Sequence, residues 1–391
     1  MPVTTKSARL STSAQPKQRI SVVTTTGQIQ QFETAVRNRL RNLALEASEN
    51  KENAKVCGVV YVPAATSYFY RPSLFTSNKT TITIPRGLRF VCNGRYYATE
   101  EAVTIDLSTY YDASMRAGKD LYIYGVENSN ANSTTPVFVI SMNSTYPDGY
   151  DANTSRKLGG FHCLCADVGT ISGHDLSGYV AGDVLPLSRW DLRHRPYSSP
   201  EGMVYVEGLG LWVDIYPNSF TGGTLVSAYN GTIATGTTAK AINWYGATKY
   251  FNRLGKRLPA FVEFQHYAIG SNLQTVIAGA AVPTTAGGHV DTSSRRCVSN
   301  AGIEDCCGVI YQWGIEAGGP YTTGWASMNG TTKVPTEPCG YTYNKSCRAI
   351  LGGAATIGAT YCGTRCNNWS FYPDGLYNYI GVRGVSRNLG K

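Results

Sequence analysis

The sequence is poor in charge, and it lacks both long apolar runs and a targeting signal. Only 16% of its 391 residues are Asp, Glu, Lys or Arg. No segment approaches the roughly 18 consecutive apolar residues that a membrane helix needs. Residues 1–6 show no apolar segment leading to a small-residue cleavage site. We therefore expect no membrane insertion and no secretory signal.

The net charge of +9 is spread along the chain, apart from a basic group in the N-terminal region. A nucleic-acid-binding protein usually clusters its charge on one face and carries a recognisable motif. Neither feature is visible, because Arg37, Arg39 and Arg41 fit the solvent-facing side of a helix. We expect no nucleic-acid partner.

Eleven cysteines are present, and their spacing does not suit zinc. Zinc sites use paired C-x2-C spacings with partners further along the chain, and no such pattern occurs. We therefore expect no metal and no cofactor, and either disulfides or inert buried thiols. Candidate pairs are Cys339–Cys347 and one within the set Cys297, Cys306, Cys307, Cys362 and Cys366. Disulfides without a secretion signal suit a virion component that is assembled in the host cytoplasm and released by lysis.

Abundant Tyr, Thr and Gly predict an α+β protein that is mostly β, in three parts. Residues 1–55 are a polar arm followed by a helix over 27–50, which we assign to assembly and to attachment to other virion proteins. Residues 56–155 predict a small β-sandwich or barrel, with Asn93-Gly94 as a two-residue hairpin turn. Residues 156–391 form the third part. Strands are predicted over 56–62, 81–84, 88–92, 103–107, 121–124, 137–140, 202–206 and 211–216, and helices over 239–254 and 261–269.

The C-terminal segment combines glycines and arginines with residues that form contact surfaces. Gly352-Gly353, Arg365 and Gly381-Val382-Arg383-Gly384 bracket a stretch rich in Tyr, Trp and Asn. Glycines permit tight turns and close backbone approach, while Tyr, Trp and Asn supply rigid aromatic area and adaptable hydrogen bonds. This composition predicts a binding surface near the C-terminus.

A series of motifs stands in order between 156 and 391. They are Arg156-Lys157-x-Gly159-Gly160-Phe161-His162, Trp190-Asp191, Asp214-Ile215-Tyr216, Gly255-Lys256-Arg257-Leu258-Pro259, Trp313-Gly314, Gly352-Gly353-Ala354, Gly363-x-Arg365, Trp369 and Gly381-x-Arg383-Gly384-Val385. Taken in order, these motifs resemble the phage major tropism determinant family of retroelement-diversified variable proteins. The Arg-Leu-Pro and Gly-x-Arg-Gly motifs also look like the formylglycine-generating branch of the C-type lectin fold.

The resemblance implies a C-type-lectin-like C-terminal domain and a homotrimeric phage tail-fibre tip that binds a host-surface protein or glycan. It implies that the last segment is the binding face, held in shape by Arg365, Trp369, Gly381 and Arg383. The family's variable positions correspond to Tyr361, Asn368, Ser370, Phe371, Gly375, Tyr377, Tyr379 and Ile380.

Two other functions compete with non-catalytic host attachment. A structural virion protein, such as a collar, capsid, decoration or baseplate-fibre protein, would bury the same face against other virion proteins. An oxidase of the formylglycine-generating type would need a reactive cysteine pair, whereas Cys362 and Cys366 differ in spacing from that motif. We expect these two thiols to staple the frame covalently.

Several aromatic and histidine residues are expected to be structural. We place Trp190, Trp212, Trp313 and Trp369 in the core or frame, since large aromatics dominate core packing, and His162 and His266 in packed surroundings. Lectins of this fold that bind sugar through calcium use Glu-Pro-Asn or Gln-Pro-Asp together with Trp-Asn-Asp. The segments 337–339 and 367–369 match neither pattern, so we expect no calcium-dependent sugar binding.

Overall fold

The computed structural model describes residues 6–9, 19–22, 73–279, 281–318, 325–327, 341–343 and 347–389. These residues are mostly in strands and loops with a few short helices, as predicted. The predicted helix over 27–50, the predicted strand over 56–62, Cys57 and Cys339 lie outside the described residues. In the described part of the chain, no helix has the length and apolar character needed to cross a bilayer.

The strands and helices are numbered here in chain order. The strands are β1 Lys6–Arg9, β2 Arg19–Val22, β3 Thr76–Ser77, β4 Thr81–Ile84, β5 Arg89–Cys92, β6 Arg95–Ala98, β7 Val103–Asp106, β8 Asp120–Val126, β9 Val137–Ser141, β10 Ser155–His162, β11 Trp190–Asp191, β12 Met203–Val206, β13 Leu211–Asp214, β14 Ser219–Thr221, β15 Thr224–Val226, β16 Tyr311–Gly318, β17 Trp325–Ser327, β18 Tyr341–Tyr343, β19 Cys347–Leu351, β20 Asn367–Phe371, β21 Ile380–Gly381 and β22 Val385–Arg387. The α-helices are α1 Ala113–Arg116, α2 Trp244–Arg253 and α3 Phe261–Tyr267.

The polar N-terminal residues contain a strand pair that the sequence did not predict. β1 and β2 run antiparallel, with Lys6 opposite Val22 and Arg9 opposite Arg19. Residues 1–20 are polar and have no apolar periodicity, so their sequence predicts no structure in the absence of a partner. Backbone pairing does not require such periodicity, and it is the backbone that pairs here.

The predicted hairpin at Asn93-Gly94 is confirmed. Asn93 and Gly94 have φ values of 47° and 70°, and Cys92 lies opposite Arg95 across the β5–β6 pair. A two-residue turn with positive φ at both positions matches the twist of the strands that it joins. The buried faces of these strands pack into a core that includes Phe90, Cys92 and Tyr97.

A four-stranded sheet with the order β11-β10-β8-β9 joins the middle of the chain to its C-terminal half. One face contributes Leu121, Ile123 and Phe161 to the core below it, and the other packs Tyr122 and Tyr124 against residues of the neighbouring sheet, including Trp212. β10 pairs along its length with β8. The domain boundary that we drew between 155 and 156 therefore falls at the start of a strand that belongs to this sheet, and the three-part division stays a prediction.

A second four-stranded sheet, with the order β20-β19-β16-β21, carries the C-terminal segment. β16 and β21 pair in parallel, with Tyr311 opposite Ile380 and Gln312 opposite Gly381. Ile350 and Trp313 of this sheet are buried in one core with Phe251 of α2. Strand β16 therefore lies inside this sheet, next to β21 of the C-terminal segment.

Both predicted C-terminal helices exist, and each is shorter than predicted. α2 begins at Trp244 because Asn243 caps it, with its Oδ1 accepting from the Gly246 amide at 2.9 Å. The residue before that cap, Ile242, donates its amide to Thr235 outside the helix. At the start of α3, a Glu263 carboxylate oxygen accepts from the Ala260 amide at 2.8 Å, which satisfies one of the unpaired amides of a helix N-terminus.

Candidate functional site

Three of the predicted contact residues form one continuous aromatic surface. The rings of Phe371 and Tyr377 meet edge to face with centroids 4.9 Å apart. Tyr379 lies 6.0 Å from Phe371 and 5.8 Å from Tyr377. All three side chains are half-buried, and we call them the aromatic face.

The aromatic face rests on two buried residues of β16. The ring of Trp313 lies 6.2 Å from that of Tyr377, and that of Tyr311 lies 6.4 Å from Phe371. Trp313 is 1% exposed and Tyr311 5%, and burial raises the pKa of Tyr311 to about 12. The Tyr311 hydroxyl therefore stays protonated at neutral pH, and the aromatic face has a rigid, uncharged floor.

Arg383 ties this floor to the strands around it, as the resemblance implied. Its side chain is fully buried. The Nε group donates to Gln312 Oε1 at 2.8 Å, and Nη1 donates to the carbonyls of Asp214 and Ile215 at 2.6 and 2.7 Å. Nη2 donates to the carbonyl of Glu304 at 2.5 Å. One guanidinium thus joins four chain positions that are far from it in sequence.

A buried ion pair lies beside Arg383. Lys256 Nζ is 2.6 Å from Asp214 Oδ1, and Asp214 Oδ2 accepts from the amides of Gly384 at 3.0 Å and of the Asn218 side chain at 2.9 Å. A Cβ placed on Gly384 would lie 2.7 Å from Asp214 Oδ2. The motif Gly381-x-Arg383-Gly384 therefore needs glycine at 384 because the carboxylate approaches its backbone.

The turn that carries Tyr377 is held by residues outside the C-terminal segment. The Gly236 amide donates to the Tyr377 carbonyl at 2.9 Å, and the Trp244 amide donates to the Pro373 carbonyl at 3.1 Å. A Cβ on Gly236 would lie 2.2 Å from the Tyr377 nitrogen. Gly375 sits under the Tyr377 ring, since a Cβ there would lie 2.3 Å from a ring carbon.

The other predicted contact residues differ in their exposure. Tyr361 is 67% exposed, in a short 3-10 helix. Asn368 is half-buried and Ser370 is exposed, and the Ser370 hydroxyl donates to Asn368 Oδ1 at 2.6 Å. Ile380 is 1% exposed, because its backbone pairs with Tyr311 and its side chain points into the core. In this geometry Ile380 supports the surface and does not contribute to it.

Two residues expected in the frame are on the surface instead, and one histidine expected in packed surroundings is exposed. Arg365 and His266 are exposed. Trp369 is 36% exposed, with its indole N–H donating to Asn367 Oδ1. Strand β20, which carries Trp369, lies at the edge of its sheet, and its neighbouring residues Trp369 and Ser370 are both exposed. The expectation of burial was correct for Trp190, Trp212, Trp313 and His162.

Of the two alternatives left open for the cysteines, the described ones are thiols and not disulfides. The predicted staple between Cys362 and Cys366 is therefore wrong, and so is the candidate pairing within the larger cysteine set. Every cysteine whose side chain is described is a free thiol: Cys92, Cys163, Cys165, Cys297, Cys306, Cys307, Cys362 and Cys366. Cys306 and Cys307 pack as apolar core residues. The Cys362 thiol lies 3.8 Å from the Ala354 carbonyl, and burial raises its pKa to about 11.

The side chains that come together at the site are suited to contact. A thiol whose pKa is far above neutral is protonated and is a weak nucleophile. Across the described ranges, no group of three or more His, Cys, Asp or Glu side chains is arranged to hold a metal ion. The aromatic face offers rigid aromatic area on a buried floor, which suits binding.

The sequence missed the residues that support this surface from elsewhere in the chain. Tyr311, Gly236 and Trp244 lie between about 60 and 140 positions before the aromatic face. A local sequence signal exists only for the start of α2, where Asn243 is a helix cap that precedes an amphipathic segment. The contacts of Tyr311, Gly236 and Trp244 arise from the packing of α2 and β16 and have no sequence pattern of their own.

Comparison with known proteins agrees with the resemblance seen in the sequence. The family described as "Mtd second domain" matches residues 72–191. The tail fiber receptor-binding protein of Bordetella phage BPP-1 is 29% identical over 338 residues, which cover 80% of this chain and 81% of that protein. The solved structure of the Major Tropism Determinant P3c variant gives a TM-score of 0.68 at 27% identity, over 86% of this chain and 87% of that one. The U1 variant gives 0.65 at 28% identity, over 81% and 83%.

These matches confirm the resemblance and the lectin-like fold, and they correct its extent. The sequence motifs placed the likeness only from 156 onward, whereas the family match begins at residue 72. The region that begins there consists of short strands in which more buried and less buried residues alternate. Many different residue types can satisfy such an alternation, so these strands carry few residues that identify a family. Its likeness was therefore hidden from a motif search.

Proposed function

We propose that this chain, similar along four-fifths of its length to phage tropism determinants, is a receptor-binding protein of a phage particle. It attaches the particle to a host-surface molecule, protein or glycan, through the aromatic face and the residues around it. The role is non-catalytic. The observation that carries the proposal is the continuous surface of Phe371, Tyr377 and Tyr379 on a floor of buried residues.

The geometry explains how such a surface can bind tightly while its residues vary. Rigid aromatic side chains lose little conformational entropy on binding, and a few of them carry most of the binding energy of an interface. The floor and Arg383 belong to other strands and loops, so exchange of a surface side chain leaves the frame intact. Ser370 and Asn368 add polar groups beside the rings.

Other parts of the proposal come from the sequence and from what its resemblance implies. We propose that the protein is a homotrimer joined to other virion proteins through its N-terminal region, assembled in the host cytoplasm and released by lysis. Three copies of one face would raise overall affinity, provided that they engage together. Native mass spectrometry of the purified protein tests the trimer directly.

The proposed function is tested by adsorption of particles carrying surface variants. The double variant Tyr377→Ala/Tyr379→Ala removes two anchors, and Tyr361→Ala removes the most exposed ring of the segment. Tyr197→Ala is a matched control, since Tyr197 is 71% exposed and lies outside the C-terminal segment. We expect both site variants to lose adsorption by at least about tenfold while the control adsorbs normally.

Folding is checked separately, because Tyr377 also packs on Trp313. Tyr361→Ala has no buried ring to lose, so its effect reports contact alone. Normal adsorption by the double variant and by Tyr361→Ala would overturn the proposal and favour a structural virion protein whose C-terminal face meets its neighbours in the particle.

A further inference from the structure

A long stretch of this chain contains no acidic residue. Between Asp214 and Glu263 there is no Asp or Glu, while the same stretch contains Lys240, Lys249, Arg253, Lys256 and Arg257. Two of these cations are neutralised internally, since Lys256 pairs with Asp214 at 2.6 Å and Arg257 pairs with Glu263 at 2.5 Å. The remaining three are exposed.

Two of the three exposed cations lie against a pair of aromatic rings. Phe220 of β14 and Tyr250 of α2 meet edge to face, with centroids 5.0 Å apart. Lys240 Nζ lies 5.9 Å from the centre of the Phe220 ring, and Arg253 Cζ lies 6.0 Å from that of Tyr250. We call Lys240, Lys249 and Arg253, together with Phe220, Tyr245 and Tyr250, the basic face.

Helix α2 places three of these side chains along one of its sides. Tyr245, Lys249 and Arg253 follow one another at intervals of four, which places them in a row along one side of a helix. Tyr245 is 49% exposed. Within the described residues, none of the three cations makes an ion pair or a side-chain hydrogen bond. The row therefore presents cations and an aromatic ring to solvent together.

We propose that the basic face is a binding site for an anionic polysaccharide, one that bears carboxylate, phosphate or sulfate groups. Sugar rings present apolar C–H faces that pack on aromatic rings, and their acidic substituents pair with the flanking cations. This proposal rests on the proposed host attachment, because that function is what brings the basic face to a cell surface. Its chemistry can be tested without any host cell.

The composition of the face favours a polysaccharide over an acidic protein. The centres of protein–protein interfaces are depleted of charge and rich in apolar and aromatic anchors. Here the aromatic rings of Phe220 and Tyr250 are half-buried, and the exposed positions are held by the three cations and Tyr245. The aromatic face, with its packed rings, has the character of a protein-binding centre, and the basic face does not.

The basic face borders the aromatic face. The Trp244 amide donates to the Pro373 carbonyl at 3.1 Å, and the Asn243 side chain donates to the Asp374 carbonyl at 3.3 Å. A surface polysaccharide held on α2 would therefore lie next to the segment that we propose binds the host receptor. Binding there would hold the particle near the cell while the aromatic face finds its target.

The test compares two triple variants with the same change of net charge. The first is Lys240→Gln/Lys249→Gln/Arg253→Gln, on the basic face. The control is Arg86→Gln/Lys119→Gln/Arg193→Gln, which removes three exposed cations elsewhere. Binding of the full-length proteins is measured to dextran sulfate, to uncharged dextran and to poly-glutamate, at low and at high salt.

We expect the unmodified protein to bind dextran sulfate but not dextran, and more weakly at high salt, because salt screens exposed charges. The basic-face variant should lose at least about tenfold in affinity, from three modest charge contacts, while the control keeps its affinity. Both variants should unfold at the same temperature as the unmodified protein.

Two results would overturn the proposal. An equal loss in the control triple would mean that net charge alone drives binding. Equal or tighter binding of poly-glutamate through the same three residues would identify the partner as an acidic protein. Neither result bears on adsorption by the Tyr361 and Tyr377/Tyr379 variants, so failure of this proposal is distinguishable from failure of the proposed function.

Discussion

Arg383 Nε donates a hydrogen bond to Gln312 Oε1 at 2.8 Å, and both side chains are fully buried. Gln312 in turn donates from Nε2 to the carbonyls of Asp305 and Cys306, at 3.1 and 3.3 Å. Since Gln312 lies between Tyr311 and Trp313 on β16, this contact holds the floor of the aromatic face against the last loop of the chain.

Replacing Arg383 should destabilise the protein strongly. Arg383→Met removes the guanidinium that donates to the carbonyls of Asp214, Ile215 and Glu304. The Ile215 carbonyl keeps the Glu304 amide as a donor, and each buried group that is left unsatisfied costs about 1–3 kcal/mol. We expect the free energy of unfolding, measured by urea denaturation, to fall by at least about 3 kcal/mol. Arg365→Met is the control, and because Arg365 is exposed its effect should stay within about 0.5 kcal/mol.

Replacement by alanine should change the stability of the protein in opposite directions at two glycines, Gly236 and Gly246. A Cβ on Gly236 would lie 2.2 Å from the Tyr377 nitrogen, so Gly236→Ala must move the turn that carries Tyr377. We expect it to cost about 1–3 kcal/mol and to weaken adsorption. Gly246 lies inside α2, where a Cβ meets only Asn243 Oδ1 at 3.4 Å, and Gly246→Ala should stabilise by about 0.5–1 kcal/mol. Thermal unfolding of both variants measures the contrast, and a stabilised Gly236→Ala would refute the close packing.

The thiols of the C-terminal segment should react in a defined order. Cys366 is half-buried while Cys362 is 1% exposed, and burial raises the pKa of Cys362 to about 11. Since only the thiolate is alkylated, iodoacetamide should label Cys366 first, and the rate at Cys362 should keep rising with pH up to about 11. Peptide mass spectrometry without reduction checks this. A peptide that contains Cys362 and Cys366 and is lighter by two hydrogens would show that the two residues form a disulfide after all.

The His289–Asp305 contact should make stability depend on pH. Burial lowers the pKa of His289, but the hydrogen bond and charge of Asp305, at 2.9 Å, outweigh it and leave the pKa raised. A histidine whose pKa is raised on folding stabilises the fold fully below its unfolded pKa of about 6.5. This contribution is lost as pH rises through the folded value. The stability deficit of His289→Gln should therefore be largest at about pH 6 and shrink toward pH 9. A deficit that does not change with pH would contradict this contribution.

Local sequence signals predicted local structure well. Asn93-Gly94 formed its turn because positive φ at both positions is a property of those two residues. Strand β13 ends at Asp214, two residues earlier than predicted, because the carbonyls of Asp214 and Ile215 turn to accept from Arg383. No pattern within the predicted strand indicates that Arg383, about 170 positions later, will contact its end.

The sequence by itself determined the β-rich composition, the turns and helix caps, and the crowd of aromatics among glycines at the C-terminus, because these depend on residue type and short-range spacing. Only the tertiary structure decided which of those aromatics share a surface. It placed Ile380 inward and Trp369 outward, kept Cys362 and Cys366 as thiols, and gathered the cations around Phe220 and Tyr250 on one face. Exposure and proximity depend on how distant strands pack, and each side chain's position is settled by partners that lie far from it in the chain.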